Sequence, residues 1–239
     1  MNTSELEFAL AEGKFQVIEQ RKRWIEEIEY PLRVYGRSHR EEYVATLERS
    51  KILVDFFKKH GIHDVDDQEA ISEALGIVLP LDMHRKMFAP ALQLSMSQEQ
   101  WLKWKDIASS YRILGAYAQT ELGHGSNIRA IETIAMYDKE RQSIDLHSPT
   151  LTSRKWWPGG LGKTANFAVV YARLVADNID YGLHAFLVQL RDLKTHETLP
   201  GIELGDIGAK IGFNGVDNGF CTFNHVALPK ESLLMGSAR

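Results

Sequence analysis

Two stretches of this chain collect residue types that ordinary scaffold rarely brings together: "AYAQTELGHGSNIRAIET", Ala116 to Thr133, and "RKWWPGGLGKT", Arg154 to Thr164. In the first, the Thr120 hydroxyl can hydrogen-bond the polar edge of a heteroaromatic ring. Gly123 and Gly125 let backbone N–H groups approach a ligand without Cβ interference. Ser126 adds a donor suited to a phosphate oxygen. In the second, Trp156 and Trp157 offer flat apolar surface for stacking, and Pro158-Gly159 makes a turn able to present an N–H. The same residues also fit a tight turn over an aromatic core cluster, and by themselves they leave the two readings level.

Other motifs carry less. A phosphate loop ending at Gly162-Lys163-Thr164 needs glycine at position 157, which is Trp157. Gly160, Gly162 and Ala165 fit a loose dinucleotide pattern, but it follows Trp-Trp-Pro and leads into strand-like sequence instead of opening a helix. His60 and His63 straddle Gly61 at a helix end without a companion cluster and read as a polar loop, so no metal site is expected. The run "EQRKRWIEEIE", Glu19 to Glu29, reads as a solvated helix face with intrahelical ion pairs.

The elements that must position the two stretches change period along the chain. Up to about residue 115 the apolar residues recur at helical spacing. Phe15, Ile18, Trp24, Ile25 and Ile28 line one face before Pro31. Ser38 with Glu41, and Ser97 with Gln100, are capping boxes, and Gly61 is a C-terminal cap. Asp66 or Asp67 is expected to start a further helix, and "LDMHRKMFAPALQL" to be helical with an interruption at Pro90. Beyond residue 115, "FAVVYARLV", "YGLHAFLVQL" and "GFCTFNHVAL" are strand-like, with turns expected at Asn214-Gly215 and Asn218-Gly219. The expected architecture is therefore α+β: an N-terminal helical domain over 1–115 and a β-domain over 116–239. The first stretch falls at the junction, a place that ligand sites favour.

Composition narrows the class. The 239 residues are 44% hydrophobic and 25% charged, ordinary values for a globular protein, with a net charge of −4 that offers no nucleic-acid footprint. The single cysteine, Cys221, excludes an intrachain disulfide and reads as a buried, inert thiol. The N-terminus lacks an apolar signal region, and no apolar run is long enough to span a bilayer. The expectation is a soluble, unsecreted chain.

"YAQTELGHGSN" and "SPTLTSRKWWPGGLGKT", together with "YGLHAFLVQLRD", "LPGIELGDIGAKIGFNGVDNGF" and "VALPKESLLM", resemble the acyl-CoA oxidase family, relatives of the acyl-CoA dehydrogenases. The resemblance runs through most of the chain and is densest from Tyr117 to Met235. It implies a helical N-terminal domain, a β-barrel-like middle domain and a C-terminal helical domain, with FAD beside the β-domain and a fatty acyl-CoA thioester along the flavin. By position, Tyr117, Ala118, Gln119 and Thr120 match the first flavin-contacting segment. Gly125 and Ser126 match pyrophosphate-side contacts, Gly159 a contact near the reactive ring, and Trp156 or Trp157 an aromatic wall.

The implied reaction removes a Cα proton and a Cβ hydride, passes electrons from the flavin to oxygen, and yields trans-2-enoyl-CoA and hydrogen peroxide in peroxisomal β-oxidation. The family's catalytic base is a glutamate of the C-terminal helical domain. That domain is expected to be absent here, so no catalytic residue is assigned, and Glu121 is expected to organise its turn. The resemblance also implies a homodimer and a peroxisomal location, although "SAR" is not a targeting signal of the S-K-L type. A non-catalytic short form acting as an interaction or regulatory module is the alternative.

Overall fold

The computed structural model describes residues 5, 8, 11, 13–29, 36–76 and 78–236. They fall in two compact units, Met1–Leu79 and Pro80–Arg239.

The first unit holds α1 (Phe15–Glu27), α2 (His39–His60) and α3 (Val65–Ala74). Both halves of the Ser38–Glu41 capping box form, and Gly61 closes α2 with φ 63°, a left-handed conformation that glycine adopts without Cβ strain. α1 ends at Glu27, and Pro31 lies outside the described residues. The start of α3 corrects the expectation of Asp66 or Asp67. Asp64 is the cap, accepting from the Asp67 N–H at 3.0 Å, so the two later acids sit inside the first turn, where the helix dipole favours them. The core of this unit is Leu53, Phe56, Phe57, Ile62 and Ile71, with Trp24 and Ile25 packed on it. Lys22 pairs with Glu19 within α1 at 2.9 Å, whereas Arg21 reaches Asp67 of α3 at 2.7 Å.

The second unit begins with a π-helical turn at His84–Phe88 that runs directly into α4 (Ala89–Ser95), followed by α5 (Gln98–Ser109) behind the Ser97–Gln100 capping box. Pro90 does not interrupt this helix. It stands in the first turn of α4, where its missing N–H is tolerated, and the wide turn before it absorbs the ring.

Nine strands follow among the described residues: β1 (Gly115–Ala118), β2 (Ile134–Asp138), β3 (Ser143–His147), β4 (Lys155–Trp156), β5 (Phe167–Ala176), β6 (Ile179–Gln189), β7 (Ile202–Asp206), β8 (Gly219–Phe223) and β9 (Val226–Pro229). They form a curled mixed sheet and a smaller one. In the larger sheet, β1 and β2 both pair in parallel with β5, at its beginning and end, and β6 pairs antiparallel along its other side. β3 extends from β2, and β9 from β3. The smaller sheet runs β4-β8-β7.

β5 shows why its sequence is almost continuously apolar. Phe167 and Val169 pack with Phe88 and Leu92 of the helical segments and with Ile113 of the bend before β1, while Ala168, Val170 and Ala172 pack with Cys221 and Phe223 of the smaller sheet. A strand buried on both faces needs apolar side chains at both parities. Cys221 is fully buried in that core, and burial pushes its thiol well above the ordinary range.

Candidate functional site

The two chemistry-bearing stretches meet edge to edge. The Trp156 N–H donates to the Thr120 carbonyl at 3.1 Å and the Leu122 N–H to the Arg154 carbonyl at 2.8 Å, so Glu121 and Lys155 stand opposite each other as an antiparallel bridge. Opposed residues share a face and alternate along the chain. Glu121 and Lys155 therefore turn inward together, and Thr120 and Trp156 turn to the other side.

The inward pair is an ion pair at 3.0 Å, with no side-chain exposure on either partner. Its remaining hydrogen-bonding capacity is used. Glu121 accepts from the Glu132 N–H at 2.8 Å, the Thr133 N–H at 3.0 Å and the Thr133 hydroxyl. Lys155 also donates to the Tyr171 carbonyl at 2.6 Å and the Gln119 carbonyl at 3.3 Å. Burial pulls Lys155 down to about 8, and the Glu121 carboxylate opposes that shift. Glu121 thus organises its turn by closing the loop 121–133 onto β4, as its sequence position implied. Lys155 carries no local sequence signal, since lysine is usually a surface residue.

β1 is anchored at its start as well. His84 accepts the Gly115 N–H on Nδ1 at 3.0 Å, which places its proton on Nε2, 3.0 Å from the Ala108 carbonyl. Burial holds this imidazole down at about 4. Gly115 is required there by close approach, because a Cβ would lie 2.1 Å from the Phe88 ring.

Across the bridge, Trp156 stacks on Phe220 with ring centroids 6.1 Å apart, and the Arg154 guanidinium lies 4.7 Å over Phe220. Trp157 differs. It is 53% exposed and takes φ 84°, a region costly for a residue with a Cβ. Its N–H donates to the Gly219 carbonyl at 2.9 Å, and its carbonyl accepts from the Asn218 amide at 2.7 Å. The backbone is held in a strained conformation that leaves a large indole facing out.

The remaining expected residues divide by what they touch. Tyr117 donates to Gln119 Oε1 at 3.0 Å, and burial, reinforced by Tyr171, raises its phenol. Ala118 is fully buried in the core between the sheets. The Thr120 hydroxyl and the N–H groups of Gly125, Ser126 and Gly159 have no hydrogen-bond partner among the described residues. Gly125 and Ser126 are exposed, and a Cβ on Gly125 would meet open space. Gly123 does not present its N–H outward: it donates to the Thr152 carbonyl at 2.9 Å, and a Cβ there would lie 2.8 Å from Thr152. Gly159 packs tightly too, since a Cβ would lie 2.5 Å from Met83.

The glycine-rich turn explains why its phosphate-loop likeness is accidental. The buried Asp217 carboxylate accepts from the Lys163 N–H at 2.6 Å, the Thr164 N–H at 2.7 Å and the Thr164 hydroxyl at 2.9 Å. Donors that would cradle a phosphate are committed to a side chain of the same protein. His60 likewise lies 3.2 Å from Glu27 and against the Phe56 ring. Among the described residues, no group of three or more His, Cys, Asp or Glu is placed to hold a metal. No helix among them is long and apolar enough to cross a membrane.

Comparison with known proteins fits this geometry. Residues 2–114 match the family described as acyl-coenzyme A oxidase N-terminal, and residues 116–226 match the acyl-CoA dehydrogenase middle domain. The chain belongs to the acyl-CoA oxidase family. Over 158 residues it is 50% identical to the peroxisomal acyl-coenzyme A oxidase 1 of Arabidopsis thaliana, a match covering 65% of this chain and 24% of that protein. The solved structure of Arabidopsis thaliana acyl-CoA oxidase 1 superposes with a TM-score of 0.89 at 36% identity, covering 98% of this chain and 37% of that one. Acyl-CoA oxidase-2 of Caenorhabditis elegans, solved with FAD, ascaroside-CoA and ATP bound, gives 0.90 at 37% identity, covering 98% and 36%. The matches thus span 24% to 37% of the length of these relatives.

Proposed function

We propose that the paired stretches form one wall of an FAD site serving the oxidation of a fatty acyl-CoA to a trans-2-enoyl-CoA, with oxygen as electron acceptor. The observation that carries this reading is Trp157, an exposed indole on a strained backbone fixed by two hydrogen bonds, in a stretch joined through Trp156 to Thr120, whose hydroxyl, like the Gly159 N–H, has no partner among the described residues. A planar heteroaromatic ring stacks on such a surface, and its polar edge takes up such donors. When bound, FAD supplies the hydride-accepting chemistry. The chain's own residues orient the ring and place donors where negative charge develops. In this reading Tyr117, Gln119 and Thr120 line the ring's edge, while Ala118, expected with them, is fully buried and supports the segment from the core; Gly125 and Ser126 face the pyrophosphate, and Trp157 forms the wall. A peroxisomal setting and a homodimer belong to the same proposal; the curated relative from Arabidopsis thaliana is named a peroxisomal enzyme.

Two carboxylates of these segments, Glu121 and Asp217, are committed to hydrogen bonds within the fold. Glu121 is saturated by Lys155 and the 132–133 backbone, and Asp217 by Lys163 and Thr164. That saturation supports a second reading, in which this chain is a non-catalytic form that acts as an interaction or regulatory module. Titration with FAD, followed by flavin fluorescence, and a peroxide-coupled assay with fatty acyl-CoA and excess FAD separate the two. Acyl-CoA-dependent peroxide supports the oxidase, flavin binding without peroxide supports the second reading, and no flavin binding removes the proposed wall. Thr120→Val is expected to weaken FAD binding by about 1–3 kcal/mol, the cost of a buried polar partner left unpaired.

A further inference from the structure

The segment Asp217-Asn218-Gly219 is moulded against the whole Trp157–Thr164 turn. Gly219 accepts from the Trp157 N–H at 2.9 Å and donates to the Pro158 carbonyl at 3.0 Å. Asp217 accepts the Gly162 N–H on its carbonyl at 3.1 Å and binds Lys163 and Thr164 through its carboxylate. Between them, Asn218 gives its amide N–H to the Trp157 carbonyl at 2.7 Å.

Asn218 is 7% exposed, and its Oδ1 is buried without a partner. An amide desolvated at that cost, with one end left unpaired, has the Trp157 contact as its return. That contact falls on the one residue of the turn that combines a side chain, a positive φ and large exposure. Deleting it releases the carbonyl side of the strained Trp157 residue, leaving only the Gly219 bond on its N–H, and is expected to let the indole reorient.

We infer that Asn218 is a positioning residue: through the Trp157 carbonyl it fixes the indole in the orientation that receives a planar ring. The inference rests on the flavin reading for the identity of that ring, while the ordering of Trp157 stands apart from it. Two measurements keep these separate. The first needs no cofactor: the near-UV circular dichroism contributed by Trp157, taken as the difference between the unsubstituted chain and Trp157→Phe. The second is the FAD dissociation constant from fluorescence titration.

Asn218→Ala is expected to abolish the Trp157 difference band and to raise the FAD dissociation constant about tenfold, the effect of one lost hydrogen bond. Ile144→Val, a core change between the sheets, is expected to lower thermal stability while leaving both readouts in place. If Asn218→Ala does not fold, Asn218→Ser removes the amide more gently and is read in the same way. A retained Trp157 band in the folded Asn218 variant overturns the inference, as does a lost band with unchanged FAD affinity. Should the unsubstituted chain bind no FAD, the flavin reading fails, and the circular dichroism comparison alone decides whether Asn218 orders Trp157.

Discussion

The two stretches of the candidate site are held in place by different physics. The 117–121 segment is fixed from beneath by a buried ion pair, Glu121 with Lys155. The 157–164 turn is fixed by a set of bonds without a buried ion pair at its centre: the Asp217 carboxylate accepts from neutral N–H and O–H groups, with burial raising its proton affinity against those bonds, and the Arg191 guanidinium donates to the Leu161 and Gly162 carbonyls. An ion pair in the interior gives a firm anchor only while both charges are present. A carboxylate held by dipoles depends on no single charged partner, so it should tolerate perturbation better.

The largest expected effect tests that contrast directly. Lys155→Met leaves the Glu121 charge buried without its partner and is expected to destabilise the second unit by about 3–5 kcal/mol in denaturant unfolding. The double variant Glu121→Gln with Lys155→Met is expected to recover a substantial part of that loss. If the single and double variants unfold alike, the pair is not the anchor of this segment.

His84 sharpens the comparison from the far end of β1. Its folded value of about 4 lies below the ordinary 6.5, so the unfolded chain binds more protons between those values. Its contribution is fully present above about pH 6.5 and is lost as pH falls toward 4. It amounts to about 3 kcal/mol, at ~1.36 kcal/mol for each tenfold change in proton affinity. Unfolding free energies of the unsubstituted chain and His84→Gln, measured across that window, should converge by about this amount; parallel curves would remove His84 from the linkage.

For the second stretch, Asp217→Asn exchanges an acceptor for an amide facing the Lys163 and Thr164 donors. It is expected to cost about 1–3 kcal/mol, less than Lys155→Met. A loss as large as that of the lysine variant would erase the distinction between the two anchors. The smallest effect is a reference remote from both: Ser38→Ala removes the cap of α2 and should lower the stability of the first unit by about 1 kcal/mol. A much larger loss at Ser38 would mean that local caps, and not buried polar anchors, dominate stability here.

Elements governed by near neighbours in the chain are legible in the order of residues alone. The capping boxes at Ser38 and Ser97, the Gly61 terminus and the apolar runs of β5 and β6 depend on contacts within a few residues or on periodicity, which sequence displays directly. Where expectation and fold differ, the causes are equally specific. Three aspartates compete to start α3, and only backbone geometry selects Asp64. Asn218-Gly219 has the composition of a hairpin turn, yet Asn218 serves Trp157, 61 positions away, and Gly219 opens β8. Asn214-Gly215 does lie in a turn.

By itself, the sequence determined the α+β class, the order of helices before strands and the two stretches in which unusual chemistry is concentrated, because side-chain periodicity and turn chemistry are properties of neighbouring residues. Tertiary structure alone decided which polar groups are committed and which remain available. Nothing in the sequence marks Lys155 or Asp217 as buried, yet folding buries them against Glu121 and against Lys163 and Thr164. Gly123 reads as a ligand-facing glycine until folding bonds its N–H to Thr152. The reason is physical: a hydrogen-bonding group is free or committed according to what the fold brings within about 3 Å of it, and in this site those partners come from segments distant in the chain.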